Sequence, residues 1–129
     1  MSKSNSTDAS LVTHFVYKIP KKNHDAMLQL CKQSNEIFMQ YGVPRYDVFR
    51  LNNTDVPMEG FTNIANTVSA KQDEEVWVES LYYRDRQHMN DLMAKMQKDE
   101  RMEPLMKQSF DLISSGTSFI MGEFDRLSV

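Results

Sequence analysis

A run of β-branched and aromatic residues occupies positions 75–83 and is the longest of its kind in the chain. Such residues favour extended backbone with at least one buried face. We therefore predict a central strand here, ended by the charged sequence Arg84-Asp85-Arg86. Every other element is expected to pack around this strand.

Hydrophobic periodicity predicts a strand, a helix and a second strand before this run. Alternation over residues 11–19 predicts the first strand, which Pro20 closes. Apolar residues then recur at helical spacing after Asn23, a candidate N-cap, and Gly42 stands where a left-handed C-cap is expected. Residues 45–51 alternate more weakly between apolar and polar side chains and are predicted to form the second, more exposed strand. Residues 52–66 have the composition of a long surface loop, in which 61–68 is a candidate extra strand.

Two helical segments and a last strand are predicted after the central strand. Asp85 is placed to cap the first helix, Asp99 begins the second, and residues 117–125 form the closing strand. This order is the βαββαβ plan of ferredoxin-like α+β domains, in which helices cover one face of an antiparallel sheet. We expect one such domain over residues 11–129, preceded by a disordered tail of residues 1–10.

Charge and cysteine content exclude several classes of protein. The formal net charge of −3 provides no general attraction to nucleic acids or anionic lipid. No apolar run approaches the ~18 residues that cross a bilayer, and the N-terminus lacks the apolar core of a secretion signal. The single cysteine, Cys31, agrees with a reducing compartment. We expect a cytoplasmic protein that binds neither nucleic acid nor membrane.

Sorting each predicted strand by its period of two gives two sets of side chains. The more apolar set is assigned to the helices and comprises Phe15, Tyr17, Ile19, Tyr46, Val48, Val76, Val78, Ile120 and Phe124. The opposite set comprises Val12, His14, Val16, Asp47, Phe49, Leu51, Trp77, Glu79, Leu81, Tyr83, Phe119, Met121 and Glu123. This second face is too apolar for water. We therefore predict a homodimer in which two sheets pack face to face.

The second set also contains the candidate functional residues. His14, Asp47, Glu79 and Glu123 stand among apolar neighbours, where carboxylates and imidazole acquire shifted pKa values and serve in acid–base chemistry or as hard-metal ligands. Phe49, Trp77, Tyr83, Phe119 and Met121 would line the same cavity. The alternative is structural: His14 and Glu123 lie in water near strand ends, and Glu79 pairs with Arg45, with Lys18 or with a residue across the dimer.

Metal and cofactor signatures are weak in this sequence. An iron site of two histidines and one carboxylate needs a second histidine on the sheet, whereas His24 and His88 fall on predicted helices. The sequence has no glycine-rich phosphate loop, nucleophile elbow or paired-cysteine motif. We therefore predict no metal and no cofactor.

Five short motifs, in order along the chain, resemble one family. They are Ile19-Pro20, Asp55-Val56-Pro57 with Gly60, Ala70-Lys71, Asp99-Glu100-Arg101-Met102, and Gly116 with residues 119–124. Together they resemble the small YbaA-like proteins grouped as domain of unknown function 1428. The resemblance implies a dimeric α/β barrel, the architecture of antibiotic-biosynthesis monooxygenase-like and stress-responsive barrel proteins. It implies no established activity.

Two classes of function follow from these observations. In the first, the dimer interior or the cleft beneath each helix layer binds a small, partly apolar molecule and transforms it by a cofactor-free oxygenase or acid–base reaction; the reaction rests on analogy of fold. In the second, the chain is a non-catalytic dimerisation or protein-interaction module without a ligand. The sequence leaves open whether the protein is an enzyme.

Overall fold

We describe the protein from a computed structural model, which covers residues 9–56, 58–116 and 119–129. Its elements are β1 (Leu11–Pro20), a 3-10 turn (Lys21–Asn23), α1 (His24–Gln40), β2 (Arg45–Arg50), α2 (Ile64–Thr67), β3 (Glu74–Tyr83), α3 (Arg86–Met96), α4 (Met102–Leu112) and β4 (Ile120–Asp125). The predicted order of strands and helices is confirmed. The candidate extra strand at 61–68 is instead the short helix α2.

The four strands form one antiparallel sheet in the order β2-β3-β1-β4. This is the ferredoxin-like α+β arrangement that the sequence predicts. None of the helices described is long and apolar enough to cross a membrane. Residues 1–8 of the predicted tail, and residues 117–118 of the predicted last strand, lie outside the described residues. Ala9 is buried and Ser10 pairs with Arg84 and Arg126 through its backbone, so these two residues pack with the domain.

α1 ends where the sequence predicts, at a glycine with a positive φ angle. Gly42 has φ +84°, Val43 N–H donates to the Phe38 carbonyl (3.0 Å), and Gly42 N–H donates to the Met39 carbonyl (3.1 Å). This pair of bonds is the Schellman motif, and the buried side chains of Phe38 and Val43 belong to one core cluster beside it. At the other end of α1, the Asn23 side chain donates to the Leu112 carbonyl and does not cap the helix as predicted.

Strand register decides which side chains share a face, because directly opposite residues of an antiparallel pair point the same way. Glu79 lies opposite Phe15, Phe15 opposite Met121, and Val48 opposite Glu79. The face containing this row carries the two core clusters under the helices, and we call it the helix face. The opposite face contains the row Phe49, Val78, Val16 and Ile120. We call it the open face.

The predicted faces are correct for β1 and β2 and wrong for β3 and β4. Val76, Val78, Ile120 and Phe124 lie on the open face, whereas Trp77, Glu79, Leu81, Tyr83, Met121 and Glu123 lie on the helix face. Phe119, just before β4, packs against the cluster under the helices. Both alternating sets of β3 are largely apolar, so the pattern alone does not fix which one faces the helices.

The long segment between β2 and β3 covers one end of the open face. Val76 lies on that face yet is only 3% exposed. Lys18, its partner across the strands, donates to the Ser69 carbonyl of the segment at 3.3 Å. Elsewhere on the open face, Phe49, Ile120 and Phe124 are each more than half exposed.

Candidate functional site

A carboxylate lies at the centre of the helix face. Glu79 accepts hydrogen bonds from the hydroxyls of Tyr17 and Tyr46, each at 2.5 Å, and the Cys31 thiol lies 3.8 Å from it. The two tyrosines stand on β1 and β2, on either side of β3, and Cys31 reaches down from α1. These four residues form a polar cluster inside an otherwise apolar layer, which we call the Glu79 cluster.

Burial and the Glu79 charge hold the donors of this cluster in their protonated forms. Burial, followed by the negative charge of Glu79, raises the pKa of both Tyr17 and Tyr46 far above the ordinary value. The same two causes, in the same order, raise the pKa of Cys31 to about 12. A thiol with this pKa is almost entirely protonated near neutral pH and is a poor nucleophile. The cluster therefore acts as a fixed hydrogen-bond network.

A second polar group lies at the β2 edge of the sheet, beside the first turn of α1. Glu75 Oε1 lies 2.8 Å from His24 Nδ1 and accepts a hydrogen bond from Trp77 Nε1 at 2.9 Å. The other carboxylate oxygen lies 3.5 Å from Arg50 Nη1. His24 also meets the Trp77 ring edge to face, with 5.3 Å between ring centroids. Glu75 thus anchors three side chains from three different elements.

These anchored side chains form part of a pocket of about 300 Å³, lined by His24, Leu28, Val48, Phe49, Arg50 and Trp77, which we call the edge pocket. Burial alone would raise the pKa of Glu75, but the hydrogen bonds from His24 and Trp77 and the charges of His24 and Arg50 hold that pKa below its usual range. Glu75 therefore stays ionised at neutral pH and can only accept. Consequently His24 Nδ1 is the donor of their hydrogen bond.

A larger groove of about 380 Å³ runs between α1 and α4. Its lining is mostly polar and comprises Gln33, Glu36, Ile37, Gln40, Arg101, Pro104, Leu105 and Gln108. Arg101 within it is already bound to Asp99 by hydrogen bonds of 2.6 and 3.0 Å. Within the described part of the chain, no group of three or more histidine, cysteine or acidic side chains is placed to hold a metal ion. The edge pocket combines apolar walls with converging polar groups, so we take it as the candidate site.

The sequence from residue 10 to residue 112 matches the family described as Protein of unknown function (DUF1428). The chain belongs to this family. The resemblance predicted from the five motifs is thereby confirmed. No curated protein matches this family member in sequence.

Solved structures with the same fold share little sequence with this DUF1428 protein. A dimeric ferredoxin-like protein from an uncultured marine organism is 8% identical, covers 95% of each chain and has a TM-score of 0.59. A monooxygenase from the gene ActVA-Orf6 of Streptomyces coelicolor, in complex with nanaomycin D, is 10% identical over 99% of this chain and 96% of that chain, with a TM-score of 0.58. SnoaB, a cofactor-independent oxygenase from Streptomyces nogalater, is 12% identical over 94% and 97%, with a TM-score of 0.56. At these identities the likeness shows the fold alone.

The nine predicted cavity residues do not form one site in this DUF1428 protein. Phe49 and Trp77 meet in the edge pocket, and Glu79 lies in its own cluster on the helix face. Tyr83 is buried, with burial and the charge of Glu123 raising its pKa to about 12. Phe119 packs edge to face on Tyr17 at 4.8 Å. Met121 is 57% exposed, and Glu123 pairs with Arg86 at 2.7 Å near solvent.

His14 and Asp47 are the two predicted polar residues that share the open face. They lie in one cross-strand row with Ser80 between them. His14 Nδ1 lies 2.8 Å from the Ser80 hydroxyl, while Asp47 pairs with Arg45 at 2.7 Å. A serine triad needs the carboxylate on the histidine, which holds its ring orientation. The order found here therefore does not reproduce a catalytic triad.

The sequence alone does not single out His24, Glu75 and Arg50 as residues of the candidate site. His24 falls on a predicted helix, and its partner Glu75 lies 51 residues away in the chain. Glu75 is the first residue of the run that predicts the central strand, and nothing in the local pattern marks its carboxylate as a hydrogen-bond acceptor for other elements. The one available signal was Trp77, a large side chain with a polar atom that needs a hydrogen-bond partner when buried.

Proposed function

We propose that this protein is a homodimer in which the edge pocket of each subunit binds a small, partly apolar molecule. The observation that carries this proposal is the convergence of His24, Arg50 and Trp77 on one carboxylate at the wall of a pocket of about 300 Å³. Ligand pockets are typically apolar concavities with a few oriented polar groups, and roughly 300 Å³ is the lower end of their range.

The pocket walls support a ligand with an apolar body. Leu28, Val48, Phe49 and Trp77 account for four of the six lining residues. Trp77 is 2% exposed and is fixed by its hydrogen bond to Glu75, so one wall is rigid before any ligand arrives. Binding then costs little ordering of this wall, which favours affinity.

The open face supports the homodimer. Its central row of Phe49, Val78, Val16 and Ile120 is apolar from one sheet edge to the other, and its end residues are 54% and 51% exposed. Soluble monomers rarely expose a contiguous apolar patch of this kind. A second open face related by a twofold axis would cover it. A solved structure with the same fold is described as dimeric.

A non-catalytic dimerisation module is the second candidate function. The same open face favours it, because sheet pairing requires no ligand. Two solved structures with this fold are described as oxygenases, which supports the ligand-binding candidate without identifying a reaction. The two candidates differ in what they predict for the edge pocket.

Tryptophan fluorescence tests the binding proposal, since Trp77 is the chain's single tryptophan and lines the pocket. The full chain is titrated with three cyclohexane derivatives of equal size: the carboxylate, the carboxamide and the methylammonium. None of them absorbs where tryptophan is excited. We expect a saturable change in emission with at least one probe, and a Leu28→Ala variant is expected to weaken it by about threefold to tenfold.

Leu105→Ala is the matched control for that variant. Leu105 and Leu28 are both half-buried and pack against the same core cluster, but Leu105 lies outside the edge pocket. The control is expected to bind like the wild type. If no probe gives a saturable change, the edge pocket is not a binding site and the dimerisation module is the better description.

A further inference from the structure

The charges at the wall of the edge pocket are all positive. Of the six lining residues, Arg50 and His24 are the two that carry or can acquire a charge. The carboxylate that holds them, Glu75, is not part of the lining, and its side chain is 12% exposed. The pocket therefore presents the Arg50 guanidinium to a ligand and keeps the Glu75 carboxylate behind it.

Arg50 holds its guanidinium near Glu75 without a close hydrogen bond. The separation of 3.5 Å exceeds the usual range of about 2.7–3.2 Å for an N–H to oxygen hydrogen bond. The Arg50 side chain is also 54% exposed. A guanidinium has five N–H donors in a planar fork that matches a carboxylate. Arg50 can therefore engage a second carboxylate while its charge remains balanced by Glu75.

His24 places a second polar atom at the same wall. Its Nδ1 donates to Glu75 at 2.8 Å, which fixes the ring orientation. Nε2 then accepts a hydrogen bond in the neutral ring and donates one only in the protonated ring. The edge-to-face contact with Trp77 holds the ring from the other side. Two nitrogen-bearing groups are thus positioned beside apolar walls.

We propose that the edge pocket is selective for a small carboxylate with an apolar body, whose carboxylate is bound by Arg50 and whose body contacts Leu28, Val48 and Trp77. This inference rests on the proposed binding function of the same pocket and adds the chemical class of its ligand. Complementary charge is what distinguishes such a ligand from a neutral molecule of equal size.

The test compares cyclohexanecarboxylate with cyclohexanecarboxamide at neutral pH by Trp77 fluorescence. The two probes have nearly the same shape, and only the first carries a charge. The carboxylate is expected to bind at least about tenfold more tightly, because a charge-assisted hydrogen bond is stronger than a neutral one. In Arg50→Gln this preference is expected to fall to less than about twofold.

Arg45→Gln is the matched control. Arg45 lies on the same strand with a similarly exposed side chain, 50% against 54%, but its partner is Asp47 on the open face. This variant is expected to keep the carboxylate preference. Equal binding of both probes would overturn the carboxylate inference while supporting the binding function, and absence of binding by every probe would overturn both. A loss of preference in Arg45→Gln as large as in Arg50→Gln would also overturn the assignment of Arg50.

Discussion

Glu79 is the acceptor for two tyrosine hydroxyls, so its replacement affects more than one side chain. Glu79→Leu leaves the hydroxyls of Tyr17 and Tyr46 without their acceptor under the helix layer. Leaving a buried donor unsatisfied costs about 1–3 kcal/mol. We expect the free energy of unfolding, measured in urea, to fall by roughly 2 kcal/mol.

A triple variant separates this cause from a loss of packing. Tyr17→Phe and Tyr46→Phe, combined with Glu79→Leu, remove the two orphaned hydroxyls together with the carboxylate. Replacing both partners of a hydrogen bond by apolar groups is often nearly neutral. The triple variant is therefore expected to recover most of the lost stability. A Glu79→Leu protein as stable as the wild type would show that the cluster contributes little to folding.

Glu75 is expected to make a pH-dependent contribution to stability. Its hydrogen bonds and neighbouring charges favour the ionised form and lower its pKa in the folded protein. A carboxyl group with a lowered folded pKa stabilises the fold above its unfolded pKa, about 4.3, and this contribution disappears as the pH falls through the folded value. We expect Glu75→Gln to lower the free energy of unfolding by about 1 kcal/mol at pH 7. The difference from the wild type is expected to shrink as the pH falls below the unfolded pKa of about 4.3.

Glu123→Gln is the control for this pH series, measured by urea unfolding at each pH. Glu123 also pairs with an arginine, Arg86, but both side chains are considerably more exposed than Glu75. Exposed ion pairs contribute little to the free energy of unfolding. We therefore expect no measurable change from this variant. A Glu75→Gln difference that stays constant with pH would contradict the assigned charge state.

At the scale of elements, the end of α1 provides a local test. Gly42 has φ +84°, and an added Cβ there would meet nothing within 4 Å, so any cost of substitution comes from the backbone. Gly42→Ala is expected to destabilise the protein by about 1 kcal/mol in thermal or urea unfolding. Gly42→Asn is expected to lose less, since asparagine tolerates the left-handed region better. Equal losses for both variants would contradict a backbone origin.

The elements were predictable because they depend on local pattern, whereas the faces of β3 and β4 depend on distant partners. Period-two alternation identified the central strand, but Trp77 and Val78 are both plausible core residues. The sequence assigns Glu79 away from the helices because its alternating set is the less apolar of the two. Its burial against the helices depends on Tyr17 and Tyr46, which are 62 and 33 residues away, and no local pattern contains that information. The pair of His24 and Glu75, 51 residues apart, is not predictable from local pattern for the same reason.

At the scale of the whole molecule, the two faces of the sheet differ in the groups that they carry. The helix face contains both core clusters, the Glu79 cluster and the groups behind the edge pocket. The open face carries the apolar row of Phe49, Val78, Val16 and Ile120 beside the polar row of His14, Ser80 and Asp47. Phe49 belongs to the open face by register and yet lines the edge pocket from the edge strand. Pairing of two open faces would therefore bury residues next to each pocket and couple assembly to ligand binding.

Val78 lies in the middle of the apolar row on the open face, between Phe49 and Val16. Light scattering with size-exclusion chromatography is expected to give about twice the chain mass of 15.1 kDa for the wild type at micromolar concentration. Val78→Lys is expected to give a folded monomer, because two lysines would face each other in a dry interface. Met106→Lys, a change at a 54% exposed position on α4, is expected to remain a dimer. A monomeric wild type, or dissociation by Met106→Lys alone, would assign the open face another role.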